Sequence, residues 1–69
     1  MKLGNHLKRL RFNTEMTQEH LAERAGVSRQ TIISIEKGKY IPSTLLALRL
    51  ASVFNTSVES IFYLIHDES

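Results

Sequence analysis

Arg29 and Gln30 are the two neighbouring side chains of this sequence whose chemistry is most informative. A guanidinium can donate two hydrogen bonds to O6 and N7 of guanine, and a side-chain amide can pair with N6 and N7 of adenine. Both residues follow Ser28, a residue type that commonly caps the start of a helix. Two such side chains at the beginning of an exposed helix could reach base edges in a DNA groove.

The signals for two short helices joined by a tight turn lie between residues 17 and 37. Thr17 and Ser28 are suitable N-caps, and Gly26 can take the left-handed conformation that ends a helix. Ala22 provides a small side chain where the second of these helices would approach the first. The apolar residues that would fill the space behind them are Leu21, Ala25, Val27, Ile32 and Ile35. Together these signals favour a helix-turn-helix over an ordinary antiparallel helix pair.

Apolar residues recur at helical spacing along most of the chain and predict five short helices. The first spans about residues 2–13, the fourth opens at Pro42 and Ser43, and the fifth follows residues 55–57 and continues through Ile65. No segment alternates apolar and polar residues clearly enough to predict a strand. We therefore expect one all-α domain over residues 1–69.

The charges of the chain are unevenly distributed. All nine Lys and Arg residues lie within residues 1–49, together with four acids, which gives this part a net charge of +5. Residues 50–69 carry three acids and no Lys or Arg. A basic body with an acidic end favours a polyanionic partner on one side, although uneven surface charge is also common without one.

Several kinds of chemistry have no support in the sequence. The absence of Cys removes thiolate metal sites and Cys nucleophiles. The three histidines, His6, His20 and His66, fall on different predicted helices, so we expect no metal site. No phosphate-binding glycine loop or nucleophile motif is present, and we expect neither an enzyme, a cofactor nor a small-molecule substrate. No apolar run approaches the roughly 20 residues that span a bilayer, and we expect a cytoplasmic protein without membrane association.

The motifs resemble those of the phage Cro/CI repressor family, the XRE-type helix-turn-helix proteins. The matching segments are LR at 10–11, TQEHLA at 17–22, AGVSRQTI at 25–32, IEKGKY at 35–40, and residues 42–43, 46–47 and 55–62. The match keeps its spacing without gaps and most resembles minimal members that are little more than the DNA-binding domain. It implies a lambda-repressor-like domain whose helix-turn-helix, in helices two and three, occupies about residues 17–37.

The resemblance also implies roles for individual residues. Arg29, Gln30 and Ser34 match positions that face base edges in the major groove. Gln18, at the start of helix two, matches a phosphate contact. Further residues expected to contact phosphate, or to cap helix three, are Ser28, Thr31, Lys37, Lys39 and Tyr40.

Two other positions have a less direct relation to DNA. Arg11 and Glu36 match an ion pair that joins helix one to helix three in this family, so we expect Arg11 to be mainly structural. Ile33 departs from the family pattern, and because it follows Ile32, both cannot face the core. An outward Ile33 could contact a thymine methyl group, or it could be an exposed apolar residue without a role.

The C-terminal run Ile61–Ile65 is apolar on more than one face of the predicted fifth helix. One stripe can close the core and is formed by Val58, Ile61, Phe62 and Ile65. Tyr63 and Leu64 then remain as a dimer contact within a tail of residues 58–66, the end of the domain that the family often uses. A homodimer would place two recognition helices about 34 Å apart on a near-palindromic operator. The alternative is a frayed tail.

The sequence thus predicts a regulator of transcription, expected to be a repressor, that binds double-stranded DNA sequence-specifically. The alternative is a protein-interaction module or antitoxin-like adaptor that keeps the fold without reading DNA. Gln18, Arg29, Gln30 and Lys39 separate the two, because a pure interaction module need not retain them.

Overall fold

The computed structural model describes residues 1–66 and places seven elements along them. In chain order they are β1 (Lys2–Asn5), α1 (Leu7–Asn13), α2 (Gln18–Ala25), α3 (Arg29–Glu36), α4 (Thr44–Val53), α5 (Val58–Ile61) and β2 (Phe62–Ile65). The five helices confirm the expected all-α class. The longest of them has ten residues, and none in residues 1–66 is long and apolar enough to cross a membrane.

Side-chain hydroxyls cap four of the five helices. Each accepts the backbone N–H three residues further on, at 3.0 Å for Thr17, 3.1 Å for Ser28 and 3.1 Å for Ser43. Ser57 does the same for α5 at 3.2 Å. These bonds satisfy N–H groups that have no partner inside the helix, and so fix where each helix begins.

The core lies where the apolar faces of the helices meet. All five helices contribute large side chains that are fully buried there, namely Leu7, Leu21, Ile32, Ile35, Leu50 and Ile61. Helices of four to ten residues are not stable alone in water, so this shared burial holds them in place.

The two ends of the described chain form an antiparallel ladder, which was not predicted from the sequence. Lys2 pairs with Ile65 and Asn5 pairs with Phe62. The N–H of His6 donates to the carbonyl of Ile61 at 2.8 Å and extends the pairing by one residue. The predicted first helix over residues 2–13 was therefore too long, since α1 begins at Leu7.

The predicted fifth helix was also too long, and its apolar stripe was partly wrong. The backbone turns extended at Phe62 (φ −113°, ψ 142°), where α5 ends. Ile65 is 42% exposed, whereas Ile61 and Phe62 are buried as expected. A short run of aromatic and branched residues suits a strand as well as a helix, and here pairing with the N-terminal segment decides between them.

Candidate nucleic-acid interface

The turn between α2 and α3 is formed by Gly26 in the left-handed conformation (φ 74°, ψ 32°). Its N–H donates to the carbonyl of Glu23 at 3.2 Å, and the next N–H, of Val27, donates to the carbonyl of Ala22 at 3.0 Å. Ala22 is itself buried, with 3% exposure. These contacts close α2 within one turn and bring the start of α3 against it.

Helix α3 has one buried and one accessible side. Ile32 and Ile35 are buried in the core, whereas Arg29 and Gln30 are exposed at the first turn. Ser34 is half-buried one turn later, and its hydroxyl lies 3.4 Å from the Gln30 amide nitrogen, which donates to it. Ile33 is half-buried rather than fully outward.

Two shallow depressions are lined by residues of α3 and of the segments around it. One contains Arg29 and also includes Phe12, Thr17, Gln18 and Glu19 in its lining. The other is lined by Ser28, Gln30, Thr31, Ser34 and Tyr40. Seven of the ten residues that were predicted to contact DNA therefore line one or the other of these depressions.

Arg11 and Glu36 form a bidentate ion pair beneath this surface. Arg11 Nε donates to Glu36 Oε2 at 2.8 Å and Nη2 donates to Oε1 at 3.1 Å, and the two side chains are only 7% and 5% exposed. Arg11 Nη1 also donates to the carbonyl of Met16 at 3.0 Å. The guanidinium thus joins α1, the α1–α2 turn and the last residue of α3.

Gln18 is tied to the same carboxylate. Its Nε2 donates to Glu36 Oε1 at 3.1 Å, and the residue is half-buried. A primary amide nitrogen carries two N–H groups, so this bond leaves a second donor on Gln18. Glu36 therefore holds side chains from the first turn of α2 and from α1 at the same time.

The remaining expected phosphate contacts fall into two groups. The hydroxyls of Ser28 and Thr31 lie 2.9 Å apart, and Ser28 caps α3. Lys37, Lys39 and Tyr40 are exposed in the segment after α3. The N–H groups of Lys39 and Tyr40 both donate to the carbonyl of Ser34, at 2.9 and 3.3 Å, which folds this segment back onto the helix.

Tyr63 and Leu64, the expected dimer contact, lie on strand β2 instead of a helix. Leu64 is 57% exposed. The Tyr63 ring contacts the His6 ring, with 4.6 Å between centroids and a tilt of 30° between the ring planes. It also covers Gly4, where an added Cβ would overlap a ring carbon. Tyr63 therefore has a packing role within its own chain.

Two residues near the interface, Phe12 and Asn5, were not predicted from the sequence. Phe12 is 61% exposed and lies under the Arg11 guanidinium, whose centre is 4.9 Å from the ring centroid. Asn5 donates from Nδ2 to the carbonyl of Ile35, in the last turn of α3, at 3.0 Å. No local pattern marks the bond from Asn5 to Ile35, because the two residues are 30 positions apart.

No group of three or more His, Asp or Glu side chains in residues 1–66 is arranged to hold a metal ion. Arg, Gln and Ser side chains on α3 offer hydrogen bonds, and exposed lysines lie in the segment that follows the helix. This combination suits contacts with the base edges and the backbone phosphates of a DNA duplex.

Comparison with known proteins agrees with this geometry. A family model described as "Helix-turn-helix" matches residues 7–61. An uncharacterized HTH-type transcriptional regulator of Methanocaldococcus jannaschii is 53% identical over 96% of this chain and 100% of its own length. The immunity repressor protein of Bacillus phage phi105 is 33% identical over 88% of this chain and 42% of its own.

A solved structure supports the same assignment. The restriction-modification controller protein C.AhdI from Aeromonas hydrophila has a TM-score of 0.74 and 28% identity, and the match covers 78% of this chain and 82% of that one. The relatives are named as regulators, which agrees with the expectation that this chain is not an enzyme. The chain therefore belongs to the helix-turn-helix family of Cro/CI (XRE) type.

Proposed function

We propose that this protein is a transcriptional regulator that binds double-stranded DNA sequence-specifically by inserting α3 into the major groove. The observation that carries the proposal is the exposure of Arg29 and Gln30 on the first turn of a helix whose opposite side is fully buried. The recognition helix of a helix-turn-helix reads bases with its N-terminal residues, and these two residues stand at that end. Ser34 and Ile33 extend the same reading surface by one turn.

Gln18 supports the proposal because it can bind a phosphate without leaving Glu36. One N–H of its amide holds the carboxylate at 3.1 Å, and the other is free to donate to a phosphate oxygen. The phosphate would then be linked through Gln18 and Glu36 to Arg11, so a backbone contact would set the position of α3 directly. Arg11 already offsets the charge of Glu36, which would otherwise repel DNA.

The segment after α3 supplies the second backbone contact. Lys37, Lys39 and Tyr40 are exposed there, and two of their N–H groups anchor the segment to Ser34. Lysines at this place add affinity for any duplex and make binding depend on salt. Ser28 and Thr31 have a smaller part in this proposal, since their hydroxyls already bond each other and cap α3.

The finer proposal is a homodimeric repressor on a near-palindromic operator. Leu64 is the residue that best supports a dimer, because it is exposed on a short strand, whereas the ring of Tyr63 is partly used to cover Gly4. Related proteins include a phage immunity repressor, which supports repression as the mode of action. Binding to genomic DNA would require the protein to be in the cytoplasm, which is the localisation that we expect.

Selection of bound sequences from a random pool of duplex DNA tests the proposal in one experiment. The expected result is an enriched site with two related half-sites about ten base pairs apart. Enrichment of a single half-site would keep sequence-specific binding and remove the dimer. No enrichment, together with no duplex binding at about 150 mM salt, would contradict the proposal.

A second candidate function, a protein-interaction module or antitoxin-like adaptor, is favoured by one observation. A groove between the ladder and the segment after α3 is lined by exposed apolar side chains, which include Tyr40, Ile41 and Ile65. The pool selection separates the two candidates. An interaction module would leave the pool unenriched, since nothing would then require Arg29 and Gln30 to meet bases.

A further inference from the structure

Helix α3 is held at its C-terminal end by two side chains from the N-terminal part of the chain. One is Arg11, which pairs with Glu36. The other is Asn5, whose Nδ2 donates to the carbonyl of Ile35 at 3.0 Å. Carbonyls in the last turn of a helix lack partners within it, and Ile35 already accepts the N–H of Gly38 at 2.9 Å. A carbonyl has two lone pairs, so Asn5 can occupy the second.

Both ends of the Asn5 amide are used, which fixes its orientation. Oδ1 accepts the N–H of Leu7, the first residue of α1, at 3.1 Å. Nδ2 donates to Ile35 on the other side. A flipped amide would place a donor against the N–H of Leu7 and an acceptor against a carbonyl, and would lose both bonds. This half-buried side chain therefore joins the start of α1 to the end of α3.

The backbone of Asn5 is in turn positioned by the terminal ladder. Asn5 is paired with Phe62, and the next N–H, of His6, donates to the carbonyl of Ile61 at 2.8 Å. Phe62 and Ile61 are both buried in the core. Asn5 thus lies at the point where strand pairing, the start of α1 and the end of α3 meet.

We propose that Asn5 is a positioning residue for DNA recognition, through which the pairing of the two terminal strands sets the orientation of α3. This inference rests on the proposed function. Loss of the bond to Ile35 removes one of the hydrogen bonds that hold the end of α3, and leaves the Glu36 carboxylate and the buried Ile35 side chain to hold it. Arg29 and Gln30 then meet base edges with less well-fixed geometry. Contacts to phosphate tolerate small displacements better than two-pronged contacts to bases, so preference for the correct site falls more than overall affinity.

Two substitutions isolate the bond to Ile35. Asn5→Ser adds no charge, and its hydroxyl can still accept the N–H of Leu7. The serine side chain is too short to donate to the carbonyl of Ile35 as well. Asn5→Asp keeps the acceptor for Leu7 and places a carboxylate oxygen against the Ile35 carbonyl. Asn13→Asp, at an exposed position at the end of α1, introduces the same charge and is the matched control.

The test measures two affinities of the full chain, one for a site selected from a random pool and one for unselected duplex, and compares their ratio between variants. Circular dichroism first shows that each variant is folded. We expect both Asn5 variants to lower the ratio by up to about five- to tenfold, because the free energy of roughly one hydrogen bond is the most that its loss can remove. The salt dependence on unselected DNA should match that of Asn13→Asp. An unchanged ratio in both Asn5 variants would overturn the proposal, whether the two affinities stay the same or fall by the same factor.

A measurement on the unsubstituted protein does not depend on the variants folding. A side-chain amide proton of Asn5 should exchange with solvent more slowly than those of Asn13, and equal rates would overturn the tether to Ile35. The unsubstituted protein also separates the two proposals. If it binds neither DNA, the proposed function fails and the recognition role of Asn5 fails with it. If it prefers the selected site and the Asn5 variants do so equally, only the Asn5 inference fails.

Discussion

The helix-turn-helix of residues 17–37 and the terminal ladder differ in how far along the chain their contacts reach. In the first region the bonds that fix the turn and the caps join residues three to five apart, as from Val27 to Ala22. In the ladder, Lys2 pairs with Ile65. The caps and the turn of the helix-turn-helix are therefore set locally. Its attachment to the rest of the domain combines core packing with hydrogen bonds from Arg11 and Asn5, which lie outside it.

This difference separates two questions about the recognition helix. Caps and the turn at Gly26 decide whether α3 forms and at what angle it leaves α2. The bonds from Arg11 and Asn5 decide how its far end is held. Substitutions in the two classes should therefore have effects of different kinds, which stability and DNA-binding measurements can distinguish.

Arg11→Ala should have the largest effect, on stability. It leaves Glu36 buried without its cation, and breaking a buried pair on one side costs about 3–5 kcal/mol in the free energy of unfolding. Urea denaturation measures this loss. Arg9→Ala, an exposed arginine on the same helix, is the control and should change stability by less than about 0.5 kcal/mol. Equal losses in the two variants would show that the ion pair is not what attaches α3.

Arg29→Ala should have the next largest effect, on site preference rather than stability. Its side chain is exposed and the Ser28 cap remains, so the unfolding free energy should hardly change. Loss of a two-pronged base contact costs about 1–3 kcal/mol of discrimination, or roughly 5- to 150-fold. Competition between a selected site and random duplex measures it. Arg24→Ala, on the last turn of α2, is the control, and full site preference in Arg29→Ala would remove the base-reading role.

How much the sequence could reveal follows the same division. The caps at Thr17 and Ser28, the turn at Gly26 and the buried Ile32 and Ile35 were predicted, because each signal lies within a few residues of the structure it specifies. The match to a known family supplied the pairing of Arg11 with Glu36, which spacing alone does not give.

The ladder and the role of Asn5 could not be predicted in this way. Leu3, Leu7 and Leu10 have helical spacing, yet Leu3 belongs to a strand because residues 62–65 pair beside it. The decision is made by hydrogen bonds between the two ends of the chain, and no window of neighbouring residues contains both partners. The fold class was unaffected, since all five predicted helices are present in the predicted order.

Lys39→Ala should have a smaller effect that is the same on every DNA. If Lys39 contacts a phosphate, its removal weakens binding to selected and random duplexes alike and lowers the slope of log affinity against log salt by about one. Titrations at several salt concentrations measure the slope. Lys2→Ala is the control, because Lys2 is an exposed lysine of the ladder. A slope reduced as much by Lys2→Ala would place DNA at the ladder as well and remove the contrast between the two regions.

Gly4→Ala should have the smallest effect, and its sign should depend on Tyr63. A Cβ at residue 4 would overlap two ring carbons and the hydroxyl oxygen of Tyr63, so the ring must move and lose its contact with the His6 ring. Because the ring is partly exposed and can rotate, the loss should be about 1 kcal/mol, at the low end for overpacking. In a Tyr63→Ala background the space is open, and alanine should then stabilise the strand by about 0.5–1 kcal/mol relative to glycine.

Urea denaturation of the four proteins in this double-mutant cycle measures the change of sign. The same Gly4→Ala effect in both backgrounds would mean that the Tyr63 ring does not rest on Gly4, and would leave Tyr63 available beside Leu64 as the dimer contact first expected. A reversal of sign would instead assign Tyr63 to the ladder of its own chain. The position of Asn5, one residue after Gly4, would then depend on that packing, and the attachment of α3 would extend through Asn5 to the C-terminal strand.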